Sequence, residues 1–177
     1  MTLSRRALLA GGLASLAARP GAANDAPSAA ALAHRVTPGT DAAGLAMTDA
    51  DGTPVPLSAY AGRLVVVNLW APWCLPCRRE MPALARLADR LAGHGIPVLP
   101  LAFTWQGAAG VRRFYREIGV ETLPVLLGDG DNLKATLGIE ILPTTVLLDG
   151  SATHIATVSG EATWDDDATF AWITGLA

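Results

Sequence analysis

Leu64 to Pro82 reads LVVVNLWAPWCLPCRREMP, and Cys74 and Cys77 within it are the only two cysteines of the 177-residue chain. Leu64 to Trp70 is an apolar, β-branched run of the kind found in a strand buried on both faces. Beyond the cysteines, Met81, Leu84, Leu87, Ala88 and Leu91 recur at helical spacing, and Gly93 predicts the helix end. Pro76 suits a helix's first turn, where its missing N–H costs nothing. A buried strand thus runs straight into a helix, with Cys74 at the junction.

Three chemistries compete for such a pair. A zinc or iron–sulfur site takes four ligands, and structural zinc draws them from Cys and His. Here His34, His94 and His154 lie far off in sequence, at expected loop or strand-edge positions that read as solvated surface. Covalent haem attachment needs His directly after the second Cys, where Arg78 stands. A structural disulfide across so short a loop removes little chain entropy, and a chain of this length can bury a core without it. The reactive reading has a physical basis. Unpaired N–H groups and the positive dipole end of the helix favour a thiolate at Cys74. Cys77, one turn further in, is expected to be more buried and placed to attack a mixed disulfide at Cys74. No metal and no cofactor beyond this redox-active pair are expected.

Elsewhere the pattern alternates. GLAMTDADGTPVPL reads as two short strands joined through Asp51-Gly52. IPVLPLAF reads as a strand and GAAGVRRFYREIG as a helix whose apolar face is Val111, Phe114, Tyr115 and Ile118. TLPVLLG, a short helix from about Asn132 to Leu137, TTVLLDG and THIATVSG follow. Thr163 with Asp166 three residues on reads as a capping box opening a last helix to about Gly175, and the acids Asp165 to Asp167 suit a helix start. The order ββ, βαβαβα, ββα predicts an α/β fold. A mixed central sheet is covered by helices on both faces, with an N-terminal β-hairpin extension.

The chain opens MTLSRRALLAGGLASLAARPGAA, with a basic pair at Arg5 and Arg6, an apolar stretch from Ala7 to Ala18, and small residues near 21–23. This order predicts a signal peptide over 1–23, a flexible tether over 24–40 and one domain over 41–177. SRRALL also resembles a twin-arginine export motif. The expected location is periplasmic or otherwise exported, membrane-tethered if the leader stays uncleaved. The leader holds three arginines and no acid, so the remainder carries 10 basic against 16 acidic residues. Nucleic acid is excluded as a partner, because phosphate binding needs a positive field.

NLWAPWCLPCRREMP resembles the active-site segment of exported thioredoxin-like proteins of the TlpA/ResA/DsbE (CcmG) group. LSAYAGRLVVVNLWA before it and GIEILPTTVLLDG some seventy residues on extend the likeness, which covers about Gly44 to Ala177. The resemblance implies a thioredoxin-like fold in which Pro143 is cis and faces the dithiol. Leu142 would then offer its backbone to an incoming peptide as an added strand. Trp73 and Pro76 would flank the site, with Trp70 in the core. Cytoplasmic thioredoxins carry a buried Asp six residues before the first Cys. Here Asn68 stands there, and an amide accepts no proton. The resemblance gives that task to Glu80, three residues after Cys77; spacing alone fits a surface Glu paired with an Arg equally well.

The function implied is an exported thiol–disulfide oxidoreductase that acts as a monomer. It would reduce client proteins such as apocytochrome c or copper-site assembly factors, drawing electrons from a membrane thiol-reducing partner. Two alternatives stay open: a dithiol oxidant that donates disulfides, and a copper-handling module using Cys74 and Cys77 as soft ligands.

Overall fold

The computed structural model describes residues 26–177. Their order is α1 (Ala29–Leu32), β1 (His34–Asp41), β2 (Met47–Thr48), a 3-10 turn (Leu57–Tyr60), β3 (Val65–Trp70), α2 (Leu75–Ala92) and β4 (Val98–Ala102). Then come α3 (Gly107–Ile118), β5 (Leu126–Gly128), α4 (Gly130–Leu137), β6 (Thr144–Leu148), β7 (Thr153–Ser159) and α5 (Asp167–Thr174). The leader expected over 1–23 lies outside the described residues.

Seven strands form one sheet in the order β1-β7-β6-β3-β4-β5-β2. β3, β4 and β5 run parallel, joined through α2 and α3, while β6 lies antiparallel on the other side of β3. β3 is buried along its whole length, as its apolar run predicts. Its side chains alternate between two cores. Val66 and Trp70 face a layer built by α1, α2, α3 and α5, whereas Val65, Val67 and Leu69 face a layer holding Leu133 of α4 and Leu57 of the 3-10 turn. Asn68, between Val67 and Leu69, therefore points toward α2. Trp70 stacks on Tyr115 at 5.7 Å and tilts against Phe114 at 5.1 Å, which places α3 beside the strand end.

Four expectations need correction. The tether expected over 24–40 is structured from Ala29 onward. Ala29 is fully buried and β1 pairs with β7, because this stretch covers a sheet edge that would otherwise stay open. Of the hairpin through Asp51-Gly52, only the first arm is a strand; it pairs with β5, and the returning arm keeps one bridge at Pro54. Asp166, not Thr163, caps α5, accepting the Thr169 N–H. Thr163 instead donates its hydroxyl to the Ala26 carbonyl at 2.8 Å. His154 is buried on β7, its Nε2 2.7 Å from the Thr157 hydroxyl, and burial holds its pKa below the usual histidine value. His34 and His94 are exposed, as expected.

Candidate active site

The parallel pair β3–β4 and the antiparallel pair β3–β6 meet at one end of the sheet. Trp70 lies beside Ala102, and Leu69 lies opposite Thr144. The segments leaving that end are the ones that carry the chemistry: 71–74 before α2, 103–106 after β4, and 141–143 before β6.

Cys74 caps α2, and its Sγ accepts the Cys77 N–H at 3.3 Å. Leu75 and Pro76 open the helix, whose first turn holds no acid. The helix's positive end is thus unopposed, and it favours anionic sulfur at Cys74 once the bond opens. The two cysteines form a disulfide. Cys77 is completely buried and Cys74 slightly less so. The Leu142–Pro143 bond is cis, as the resemblance implies. No loop or turn hydrogen bond among the described residues uses the Leu142 N–H or C=O, and Pro143 passes its carbonyl to the Gly160 N–H at 2.9 Å. The Leu142 backbone thus stays free of the loop and turn bonds at this end of the sheet. Around it four large apolar side chains are exposed: Trp73, Leu75, Trp105 and Ile141.

Below this rim the setting reverses. Glu80 is fully buried, one turn after Cys77. Its Oε1 accepts from Asn68 Nδ2 at 3.1 Å and its Oε2 from the Ala162 N–H at 3.1 Å. Burial pushes its pKa up to about 7, against the opposing pull of these donors. The Trp164 indole N–H also favours the charged form, although it meets full hydrogen-bond geometry with no acceptor. Glu161 adds a small upward push. Asn68 bridges outward, its Nδ2 donating to the Thr145 hydroxyl at 2.9 Å while its Oδ1 stays buried without a donor. An amide can serve either protonation state of its neighbour. Nδ2 donates to a carboxylate, and after a half-turn Oδ1 accepts from a carboxylic acid.

The roof over Glu80 is tied to the amino-terminal segment. Thr163 donates its N–H to Pro27 O at 2.8 Å and accepts the Ala29 N–H at 3.0 Å. Ser28 reaches Asp166 and Thr169 on the start of α5, each at 3.0 Å.

The sequence profile of the AhpC/TSA family matches residues 38–154. The chain belongs to this family. Over 125 residues it is 30% identical to the thiol-disulfide oxidoreductase ResA of Bacillus thuringiensis (strain Al Hakam), covering 71% of each chain. A DsbF homologue from Corynebacterium diphtheriae superposes with TM-score 0.64 at 20% identity, over 82% of this chain and 93% of that one. A secreted Mycobacterium tuberculosis disulfide oxidoreductase homologous to E. coli DsbE gives 0.58 at 19%, over 75% and 95%. This AhpC/TSA protein is a thiol–disulfide oxidoreductase of the ResA/DsbE group, with the thioredoxin-like fold that the group implies.

Of the residues singled out in sequence, Cys74 caps α2, Cys77 and Glu80 lie within it and Pro76 lies in its first turn. Trp73, Leu142 and Pro143 come to the same sheet end on other segments. Thr145, Ala162, Trp164, Trp105 and Ile141 escaped the sequence reading. Trp164 sits in EATWDDD, where only the acids carry a local signal. Ala162 acts through its backbone, which no side-chain motif reveals.

Proposed function

We propose that this protein reduces disulfides in specific clients outside the cytoplasm. The observation that carries the reading is the buried Glu80 carboxyl, poised near neutrality one turn after the resolving Cys77. The reaction starts from the reduced pair. The Cys74 thiolate attacks one sulfur of the client disulfide, whose S–S bond breaks and releases the first client thiolate. Cys77 gives its proton to Glu80 and attacks Cys74 Sγ. The Cys74–client bond breaks, the second client thiolate leaves, and two electrons have passed from the Cys74–Cys77 pair to the client. The client thiolates take their protons from Glu80 and water. A second dithiol, on a membrane thiol-reducing partner, then restores the enzyme by the reverse exchange.

Export is supported by the basic, apolar, small-residue order of the first 23 residues and by the similarity to a secreted disulfide oxidoreductase. The group resemblance points to apocytochrome c or respiratory copper-site proteins as clients. The test is a redox titration of Cys74–Cys77 beside a reduction assay on an oxidised apocytochrome c peptide. A pair more reducing than the client, with turnover of the peptide, is the expected result. A strongly oxidising pair that instead inserts disulfides into reduced peptides would overturn it.

A further inference from the structure

Trp73 and Trp105 frame a cavity of about 160 Å³ whose near wall, Pro72 and Trp73, is the stretch immediately before Cys74. Three charged residues line it: Arg78, Arg113 and Glu117. Arg78 is already engaged. Its guanidinium lies over the Phe114 ring at 4.6 Å and donates to Pro72 O at 3.1 Å and to Glu117 at 3.4 Å.

Arg113 differs. It takes part in none of the five ion pairs among the described residues, and its Nη2 donates instead to the neutral Gln106 Oε1 at 2.7 Å. Gln106 is held for this task from two sides. Its N–H donates to the Thr104 hydroxyl at 3.1 Å, and its side chain folds back over Gly110. A Cβ at position 110 would stand 2.6 Å from Gln106 Cβ and 2.9 Å from its Oε1, so glycine there is what lets the amide reach Arg113. The result is a guanidinium bonded to a neutral amide rather than to a carboxylate, in a cavity lined also by two exposed indoles, whose one acid, Glu117, is engaged by Arg78. Beyond the first 23 residues acids outnumber bases 16 to 10, so this corner inverts the charge of the whole.

We propose that the cavity is a client-recognition subsite that takes an acidic side chain close in sequence to the cysteine attacked by Cys74. A guanidinium held by a neutral amide keeps donors free for a carboxylate, and the indole faces accept the apolar part of the same segment. The inference rests on the reductase reading above. It adds to it a discrimination between clients by charge.

The test uses the reduced full chain and pairs of disulfide-closed peptides that differ only in Glu against Gln, scanned through the positions flanking the cysteines. At one position the Glu peptide is expected to show about 10-fold higher kcat/KM, carried by KM, with the preference fading at about 0.5 M salt. Arg113→Gln is expected to erase the preference, and Gly110→Ala, which displaces Gln106, to reduce it. The readout is the ratio between the two peptides in each protein, which a general loss of activity does not move. Equal rates at every position, or a preference that survives Arg113→Gln or high salt, would overturn the subsite. The wild-type protein is also given the neutral bis(2-hydroxyethyl) disulfide. Failure to reduce it or any peptide would defeat the underlying reductase reading instead.

Discussion

Nearly two helical turns at the start of α2 separate two unlike surroundings. Around Cys74 the protein shows water a rim of large apolar side chains, with Trp105 80% and Ile141 72% exposed. Around Glu80 it buries a carboxyl, an amide and a hydroxyl completely, and spends a backbone N–H and an amide on the carboxylate. Apolar groups are thus outside and ionisable ones inside, the reverse of the usual arrangement. The rim offers broad, adaptable contact area to a partner that comes and goes. The interior offers fixed dipoles around one proton, where a low dielectric makes each of them count. In the proposed mechanism recognition and proton handling are separated by depth rather than by sequence.

Breaking the junction between the two settings gives the largest effect. Cys74→Ser is expected to abolish turnover and capture no client. Cys77→Ser keeps the attacking sulfur but cannot resolve, so mixed disulfides should accumulate on non-reducing gels. Equal capture by both variants would mean that depth does not divide the roles.

The interior is tested next by Glu80→Gln. The side chain keeps its shape, and Asn68 can turn to present Oδ1 to it. Reduction is expected to slow about 10-fold at neutral pH, with the gap closing at high pH where hydroxide takes the proton. In the wild type the rate should rise through about pH 7 as Glu80 loses its proton, a limb the variant lacks. Stability should move the other way. Glu80 ionises near 4.5 when unfolded and near 7 when folded, so between those values the folded state holds the extra proton. Wild-type stability therefore falls as pH rises through this window, by about 3 kcal/mol in all. Glu80→Gln should accordingly be the more stable protein at about pH 8 and no more stable at about pH 4, as read by denaturant unfolding.

The rim is tested by Trp73→Ala and Ile141→Ser. Both side chains are mostly in water, so unfolding should shift by no more than about 0.5 kcal/mol. KM for protein clients should rise several-fold, with kcat changing less. The smallest effect is expected from Glu161→Gln, which sits between the two settings, paired with Arg79 and near Glu80. Removing its charge should move the pH limb slightly downward, because Glu161 pushes the Glu80 pKa up. An upward shift would mean that Glu161 does not act on Glu80 through its charge.

Much of this was legible in the sequence, and the reason differs by element. β3 and α2 declare themselves through an unbroken apolar run and a clean helical period. The cysteines gain meaning only from lying between the two. Glu80 could be named as a candidate but not placed inside, because spacing along a helix fixes a face and says nothing of what covers it. β1 reads as tether because the stretch from about Asn24 to Gly39 is rich in Ala, Pro and Ser without clear periodicity, and in the fold its own residues, HRVTPGTD, are mostly exposed. Its strand state comes from β7, not from its own preference. His154 differs for a related reason: its burial depends on what packs against β7, which the residues of β7 do not state.

The cover over Glu80 has a practical side. Ala162 and Trp164 are held in place by a loop whose middle residue, Thr163, is stitched to residues 26–29. A recombinant fragment cut to residues 38–154 would retain both cysteines, Glu80 and the cis proline while discarding the loop and its fastening together. A cut at residue 41 would keep the loop but free it from its mooring. The first fragment also loses β7 and α5 with their share of the core; the second, with its disulfide intact, is expected to react sluggishly for a cause lying at the far end of the chain from the sulfur under study.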